Sequence, residues 1–213
     1  MFEEKLGNAQ EVVKKAISKA SNPVVVFTGE NDSLITLHLV CKICNSRVPA
    51  IFIDTSVHFT EIYTFVEKIR KLWGVNLITE RNEDALRTIG ITENRSECCY
   101  KLKTQVLKDS IKKYNIDYLF IGNEGDGDRA EKNEDYISPK DCMRINPLAR
   151  FTEEEIWEYI KQYNLPYCSL YDKGYKIIEC MPCTKPVELP DEHSCSLQEQ
   201  EMVKNRLREL GYF

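Results

Sequence analysis

Two cysteines stand three apart around a proline in Cys180-Met181-Pro182-Cys183, and two more are adjacent at Cys98-Cys99. A Cys-x-x-Cys pair can be a redox couple, half of a zinc site, half of an iron–sulfur site, or a product of composition. Two thiols do not close a metal site, and the tandem pair is the best complement in the chain. Four thiolates are what a closed zinc site or a four-iron cubane requires. Adjacent side chains diverge on a helix and point to opposite faces of a strand, so closing both on one small ion is awkward. A cubane spreads its ligands over four iron corners, and the spacing therefore favours iron–sulfur over zinc. The metal-free alternative is that Cys98 or Cys99 is simply a small buried apolar residue. Lys101, Lys103 and Lys185 flank these thiols. They suit the negative charge of a thiolate-ligated cluster, although lysines are ordinarily just solvated.

Three other stretches carry groups that can bind or react. In Thr-Gly-Glu-Asn-Asp-Ser, residues 28 to 33, Gly29 lets the backbone approach a phosphate. Thr28, Ser33 and the amides of the following helix start can donate hydrogen bonds to it. The bland reading is an ordinary strand-to-helix turn. Asp54 and Thr55 end an apolar run, placed to hydrogen-bond a ribose or phosphate, and His58 follows in a loop, where a lone histidine is more often structural or solvated. A second Cys-x-x-Cys, Cys41 and Cys44, lies inside an apolar helix and reads as core. Cys142 and Cys168 have no visible partner in the sequence.

The elements that must position these groups follow a βαβ rhythm. A helix is predicted over residues 3–20, then strands over 23–29, 50–55, 75–79 and 117–122, with helices after the first, over 60–73 and over 98–114. Asp32 or Ser33 is expected to cap the helix after the first strand. This order predicts an α/β fold, a doubly wound parallel sheet with helices on both faces. Ligands of such sheets lie beyond the carboxyl ends of the strands, here around Thr28, Asp54 and Gly122. Residues 122–136 are glycine-rich and charged and read as a mobile loop over that rim, a possible lid. Thr152 and Glu155 form a capping-box pattern for a helix within 146–167, and the tail reads as a polar helix ending at Gly211.

Composition sets the limits. With 213 residues, 42% apolar and 30% charged, the chain reads as soluble, with one principal domain. That domain divides into an α/β nucleotide-binding core over 1–145 and a helical, cysteine-bearing segment over 146–213 packed on it. The start has a helical period where a signal peptide would have an apolar block, so a cytoplasmic location is expected. A net charge of −5 offers no general attraction to nucleic acid. No apolar run reaches the length of a membrane span. Nine cysteines in a reducing compartment point to metal binding or reactivity rather than disulfides.

Taken together, "TGENDS", "FIDTSVHFTEIY", "CCYKLK", "NPLARFTEEEIWEYIKQYNLPY" and "GYKIIECMPCTKPV" resemble the adenylyl-sulfate and phosphoadenylyl-sulfate (PAPS) reductase family in its iron–sulfur branch, over roughly residues 20–187. The resemblance implies an adenine-nucleotide alpha-hydrolase-like fold and a 4Fe-4S cluster on Cys98, Cys99, Cys180 and Cys183. It implies a sulfonucleotide held by Thr28, Gly29, Asn31, Asp32, Ser33, Asp54, Thr55 and Arg129, with Lys103 bridging cluster and anionic substrate. The chemistry it implies is thiol-dependent reduction to sulfite and AMP, or to adenosine bisphosphate, with a thioredoxin-like protein or other thiol as electron donor. A homo-oligomer is compatible with it.

The sequence departs from the family at several points. Related ATP pyrophosphatases carry Ser-Gly-Gly-Lys-Asp-Ser, whose lysine neutralises a triphosphate; Glu30 and Asn31 replace the central pair here, which argues against ATP cleavage. Ser56 stands for a family glycine and Thr60 for a proline, and Leu102-Lys103 for an Arg-Lys pair. Arg129 is what remains of paired arginines after the fourth strand. The family's C-terminal Glu-Cys-Gly-x-His segment is absent; Cys195, following His193, is the nearest candidate nucleophile, although the acids beside it would raise its pKa. The alternative function is therefore a nucleotide-binding iron–sulfur relative that does not reduce its ligand and has an accessory, regulatory or sulfur-transfer role.

Overall fold

The computed structural model describes residues 2–45, 47–89, 91, 94–122, 142–184 and 186. Helix α1 (Phe2–Ile17) leads into strand β1 (Pro23–Val26), helix α2 (Asn31–Cys44), β2 (Ala50–Ile53), α3 (Thr60–Trp73) and β3 (Leu77–Glu80). Two short helices follow, α4 (Glu83–Thr88) and α5 (Arg95–Cys99). A π-helical turn (Tyr100–Thr104) joins α5 to α6 (Gln105–Lys113). Then come β4 (Tyr118–Phe120), β5 (Met143–Ile145) and α7 (Glu153–Gln162), with single 3-10 turns at Tyr171–Lys173 and Met181–Cys183.

The five strands pair in the order β3-β2-β1-β4-β5, every neighbour parallel. Their alternating side chains divide between two cores. Val25, Ala50, Phe52 and Phe120 pack with α1, α2, α3 and α7. Val24, Ile51 and Leu119 pack on the other face with Ile111 of α6. Burial on both faces is why the strands read as continuous apolar runs. The chain switches faces between β3 and β4, so β1 and β4 flank the point where strand order reverses, the crevice where such sheets bind ligands.

Helix α2 is apolar over most of its surface and largely inside, with Leu34, Ile35, Leu37, Leu39 and Val40 buried and Lys42 exposed near its end. Cys41 and Cys44 lie partly buried against this core, as their helical setting predicts. Helix α7 begins with the expected capping box, Thr152 N–H to Glu155 Oε2 at 2.9 Å and Glu155 N–H to Thr152 Oγ1 at 3.4 Å. The same Glu155 meets Lys5 at 2.7 Å and so ties α7 to α1.

Three expectations change. The cap of α2 is Glu30 rather than Asp32 or Ser33, because the Ser33 hydroxyl turns back to the Glu30 carbonyl at 2.8 Å and the Asp32 carboxylate accepts from Ser33 N–H at 2.6 Å. The helix expected over 98–114 starts earlier and is broken by the π turn. The fifth strand, at the sheet edge, carried no sequence signal strong enough to predict it. Residues 123–141, with Arg129, and 187–213, with His193, Cys195 and the expected tail helix, lie outside the described residues, as does Lys185. Among the described residues no helix is long and apolar enough to cross a membrane.

Candidate nucleotide cleft and cysteine pocket

Between β1 and β4, on the α6 side of the sheet, opens a cleft of about 330 Å³. Its floor and sides are apolar, from Val26, Phe52, Ile53, Leu107, Leu119 and Ile121, and its rim is polar. Such a combination suits a flat heteroaromatic group with charged attachments. Thr28 and Ser33 form part of the rim.

The loop that carries them is held by its own side chains. Thr28 Oγ1 is 3.0 Å from Ser33 Oγ, and Ser33 Oγ accepts from Thr28 N–H at 3.2 Å. Gly29 has φ 88, and an added Cβ would press on Ile62 and Val66 of α3 at 3.2 and 3.3 Å, so the turn requires a glycine. Gly122, two residues beyond β4, is tighter still: a Cβ there would lie 2.5 Å from the backbone of Asp32. β4 and the start of α2 thus close to backbone contact across the switch point. Asn31 N–H donates to the Tyr171 hydroxyl at 3.1 Å, and among the described residues its buried Oδ1 accepts no hydrogen bond.

Glu30 is the loop's charged member. Its carboxylate accepts from Ile178 N–H at 3.1 Å and from Thr28 Oγ1 at 3.3 Å. Burial raises its pKa, opposed by the Ile178 amide, the Lys103 ammonium and the Thr28 hydroxyl.

Asp54 does not present its carboxylate freely to the cleft, since Oδ1 accepts from Ser56 N–H and Tyr63 OH, both at 2.7 Å. Thr55 is fully buried and faces the other way, its Oγ1 3.2 Å from Cys180 Sγ. His58 lines the cleft, with Nε2 3.1 Å from the Ile53 carbonyl. Burial pushes its pKa down to about 4, so it is a neutral donor to that carbonyl at pH 7.

The cysteine pair and the tandem meet. Cys98, Cys99, Cys180 and Cys183 line a single small pocket with Leu102 and Pro182, and they enclose about 10 Å³, the room of one water. The tandem arrives on α5, whose start is capped by Asn94 accepting from Glu97 N–H at 3.1 Å. The π turn directly after it adds a residue to the helical turn and re-aims α5 relative to α6, a device frequent at functional sites. The later pair is fixed by Met181 N–H to the Val57 carbonyl at 2.8 Å. Among the described residues no three His, Cys, Asp or Glu side chains converge as a single-ion cage. Four cysteine thiols are the donor set that a 4Fe-4S centre takes.

Lys103 and Glu179 belong to both walls, lining the cleft and the cysteine pocket alike. Burial works against the Lys103 ammonium, but the facing Cys180, Glu179, Cys99 and Glu30 outweigh it and raise its pKa. Burial also raises the Cys180 thiol, so without metal Cys180 is neutral at pH 7 and contributes no charge. Glu179 and Glu30 both face Lys103, and ligated thiolates would add to the negative field there. Arg95 meets Glu179 at 2.9 Å on the pocket's outer side, whereas Lys101 pairs with Glu97 at 2.7 Å on the helix surface. Arg144, on β5, brings a second cation to the cleft. Neither it nor Glu179 emerged from the sequence; the only available signals were the basic residue before Asn-Pro-Leu and the acid adjoining Cys180.

A family model described as "Phosphoadenosine phosphosulfate reductase domain" matches residues 22–186. The chain is 27% identical over 167 residues to an adenosine 5'-phosphosulfate reductase of Staphylococcus haemolyticus, covering 73% of this chain and 68% of that protein. It is 30% identical over 191 residues to sulfate adenylyltransferase subunit 2 of Methylorubrum extorquens, covering 75% and 62%. The chain thus spans about two thirds of the length of these curated relatives. Among solved structures, a phosphoadenylyl-sulfate (PAPS) reductase from Candida auris in a phosphate complex superposes with a TM-score of 0.70 at 22% identity, covering 84% of this chain and 90% of that one.

Proposed function

Because that model matches most of its length, the chain belongs to the phosphoadenosine phosphosulfate reductase domain family, and we propose that it is a sulfonucleotide reductase that converts adenylyl sulfate or PAPS to sulfite and the corresponding adenosine phosphate. The observation that carries this reading is the shared wall. Among the described residues, a nucleotide-sized cleft at the switch point and a four-cysteine pocket share Lys103 and Glu179 in their linings.

In this reading the adenosine lies against the apolar floor, and Lys103 and Arg144 meet its anionic groups. Cys98, Cys99, Cys180 and Cys183 would hold a 4Fe-4S cluster. The cluster supplies a charged, redox-capable centre whose potential depends on net charge, hydrogen bonds and exposure. Thr55 at Cys180 and Lys103 beside the pocket are the chain's own means of tuning it.

Reduction itself needs a thiolate, which we assign to Cys195, outside the described residues. Its sulfur attacks the sulfate sulfur, the S–O bond to phosphate breaks, and the electron pair leaves with the nucleotide. A thiol of a thioredoxin-like donor then attacks Cys195 Sγ, expelling sulfite and forming a mixed disulfide. The donor's second thiol resolves that disulfide, so two thiols supply the two electrons. Adenylyl transfer from ATP is disfavoured by Glu30, a carboxylate in the loop where triphosphate charge would have to be met.

Anaerobic incubation with sulfur-labelled adenylyl sulfate and PAPS, with a dithiol donor present, tests the proposal. Labelled sulfite is the expected product. Binding without sulfite would instead assign the chain to the non-reductive alternative, and a Cys195→Ser variant with undiminished turnover would remove that residue from the mechanism.

A further inference from the structure

We propose that Glu30 is a positioning residue that fastens the cysteine segment to the nucleotide loop, so that occupation of the cleft is felt at Cys180 and Cys183. The inference rests on the reading of the cleft as a nucleotide site.

Glu30 stands between two structures that the sequence separates by nearly 150 residues. On one side its Oε2 accepts from Thr28 Oγ1 at 3.3 Å, and the same Thr28 oxygen accepts from Glu30 N–H at 3.3 Å. On the other, its Oε1 accepts from Ile178 N–H at 3.1 Å, two residues before Cys180. A carboxylate in a loop beside an anion site costs electrostatic repulsion, which its buried acceptor role offsets.

The segment beyond Ile178 is otherwise held from the cluster side. Met181 N–H bonds to Val57, Thr55 Oγ1 touches Cys180 Sγ, and Thr184 Oγ1 donates to the Cys180 carbonyl. Glu30 is thus a direct side-chain tie between the phosphate-facing turn and this strap. A second tie runs through Tyr171, whose hydroxyl accepts from Asn31 N–H at 3.1 Å. An anion entering beside Thr28 draws on the hydroxyl that Glu30 uses, and so acts on the carboxylate that holds Ile178. The geometry also defines what a substitute must supply. A glutamine keeps an oxygen for Ile178 N–H and places an NH₂ group towards Thr28 Oγ1, which can accept while donating to Ser33. An alanine supplies neither.

Amide hydrogen exchange, followed by mass spectrometry over residues 176–184 in anaerobically prepared full-length chain, reads this directly. In Glu30→Ala the Ile178 amide is expected to exchange about tenfold faster, the factor implied by one lost hydrogen bond. In Glu30→Gln it should stay within about threefold of the parent, since the acceptor is retained. Saturating AMP should alter exchange across Ile178–Cys183 in the parent and in Glu30→Gln, and not in Glu30→Ala. Parent-like exchange in Glu30→Ala overturns the tie. AMP that binds the parent without altering exchange there overturns the coupling, a measurement needing no variant should Glu30→Ala fail to fold. AMP that does not bind the parent at all sinks the nucleotide-site reading and the coupling with it, while the tie is still judged by the ligand-free comparison.

Discussion

Replacing Lys103 by methionine should separate the binding role of the shared wall from its structural one. Methionine keeps most of the side-chain length and the apolar stem, so packing beside Leu102 is preserved while the charge is lost. The charged groups lining the cleft among the described residues are Lys103, Arg144, Glu30 and Glu179. His58 is neutral at pH 7, because burial holds it at about 4. Lys103 and Arg144 face Glu30 and Glu179 there, and Lys103→Met removes one of the two cations. An anionic nucleotide loses a charge-assisted hydrogen bond worth about 1.5–3 kcal/mol, which is roughly 10- to 100-fold in affinity. Lys103→Arg keeps the charge with a different donor geometry and should lose much less. The assay is equilibrium dialysis of AMP and adenylyl sulfate against anaerobic protein, with iron determined on the same samples. Unchanged iron with weakened binding places Lys103 on the substrate side of the wall. If Lys103→Met binds AMP within about threefold of the parent, the charge assignment of the cleft is wrong.

Other substitutions test the scaffold. Ser56 has φ 62 and a buried hydroxyl with no hydrogen-bond partner among the described residues, so Ser56→Gly should stabilise the fold by about 1–2 kcal/mol net of glycine's extra chain entropy, seen as a higher Tm; an unchanged or lower Tm contradicts the strain. Gly122→Ala would place a Cβ 2.5 Å from the Asp32 backbone and should cost at least about 2 kcal/mol, or about 5 °C in Tm, whereas Gly7→Ala on the exposed face of α1 meets no neighbour and should stabilise by up to about 1 kcal/mol. Equal effects at the two glycines would refute the close approach of β4 and α2. His58 is buried and titrates near 4 when folded against an ordinary value of 6.5, so the unfolded chain binds the extra proton between those limits. Stability is fully present above pH 6.5 and falls by up to about 3 kcal/mol as pH drops toward 4. Urea midpoints for the parent and His58→Gln should therefore diverge in slope across this window, and parallel slopes would show that His58 titrates normally.

How far the sequence revealed this arrangement differs from element to element. Strands β1, β2 and β4 were legible because burial on both faces makes them unbroken apolar runs closed by Gly29, Asp54 and Gly122. β5 was not: Met-Arg-Ile is three residues long at a sheet edge, exposes Met143, and puts an arginine where alternation leads into the cleft. The tandem cysteines were rightly placed on a helix, yet the π turn after them is a register shift with no compositional mark. Thr55 shows the limit of strand-end reasoning, since adjacent residues at a strand end face opposite ways, and Asp54 and Thr55 divide between Tyr63 and Cys180. Glu30 was read only as part of the Glu30-Asn31 pair that stands where a related loop carries Gly-Lys; its bond to Ile178 spans a separation across which a single sequence carries no pairing signal.

Iron and acid-labile sulfide analysis with Mössbauer spectroscopy on anaerobically prepared full-length chain tests the central claim most directly. About four irons and four sulfides per chain, in a cubane spectrum lost on Cys183→Ser, is the result expected from the four thiols lining one pocket. A colourless chain carrying one zinc, or a metal-free chain that refuses reconstitution with iron and sulfide, would contradict it.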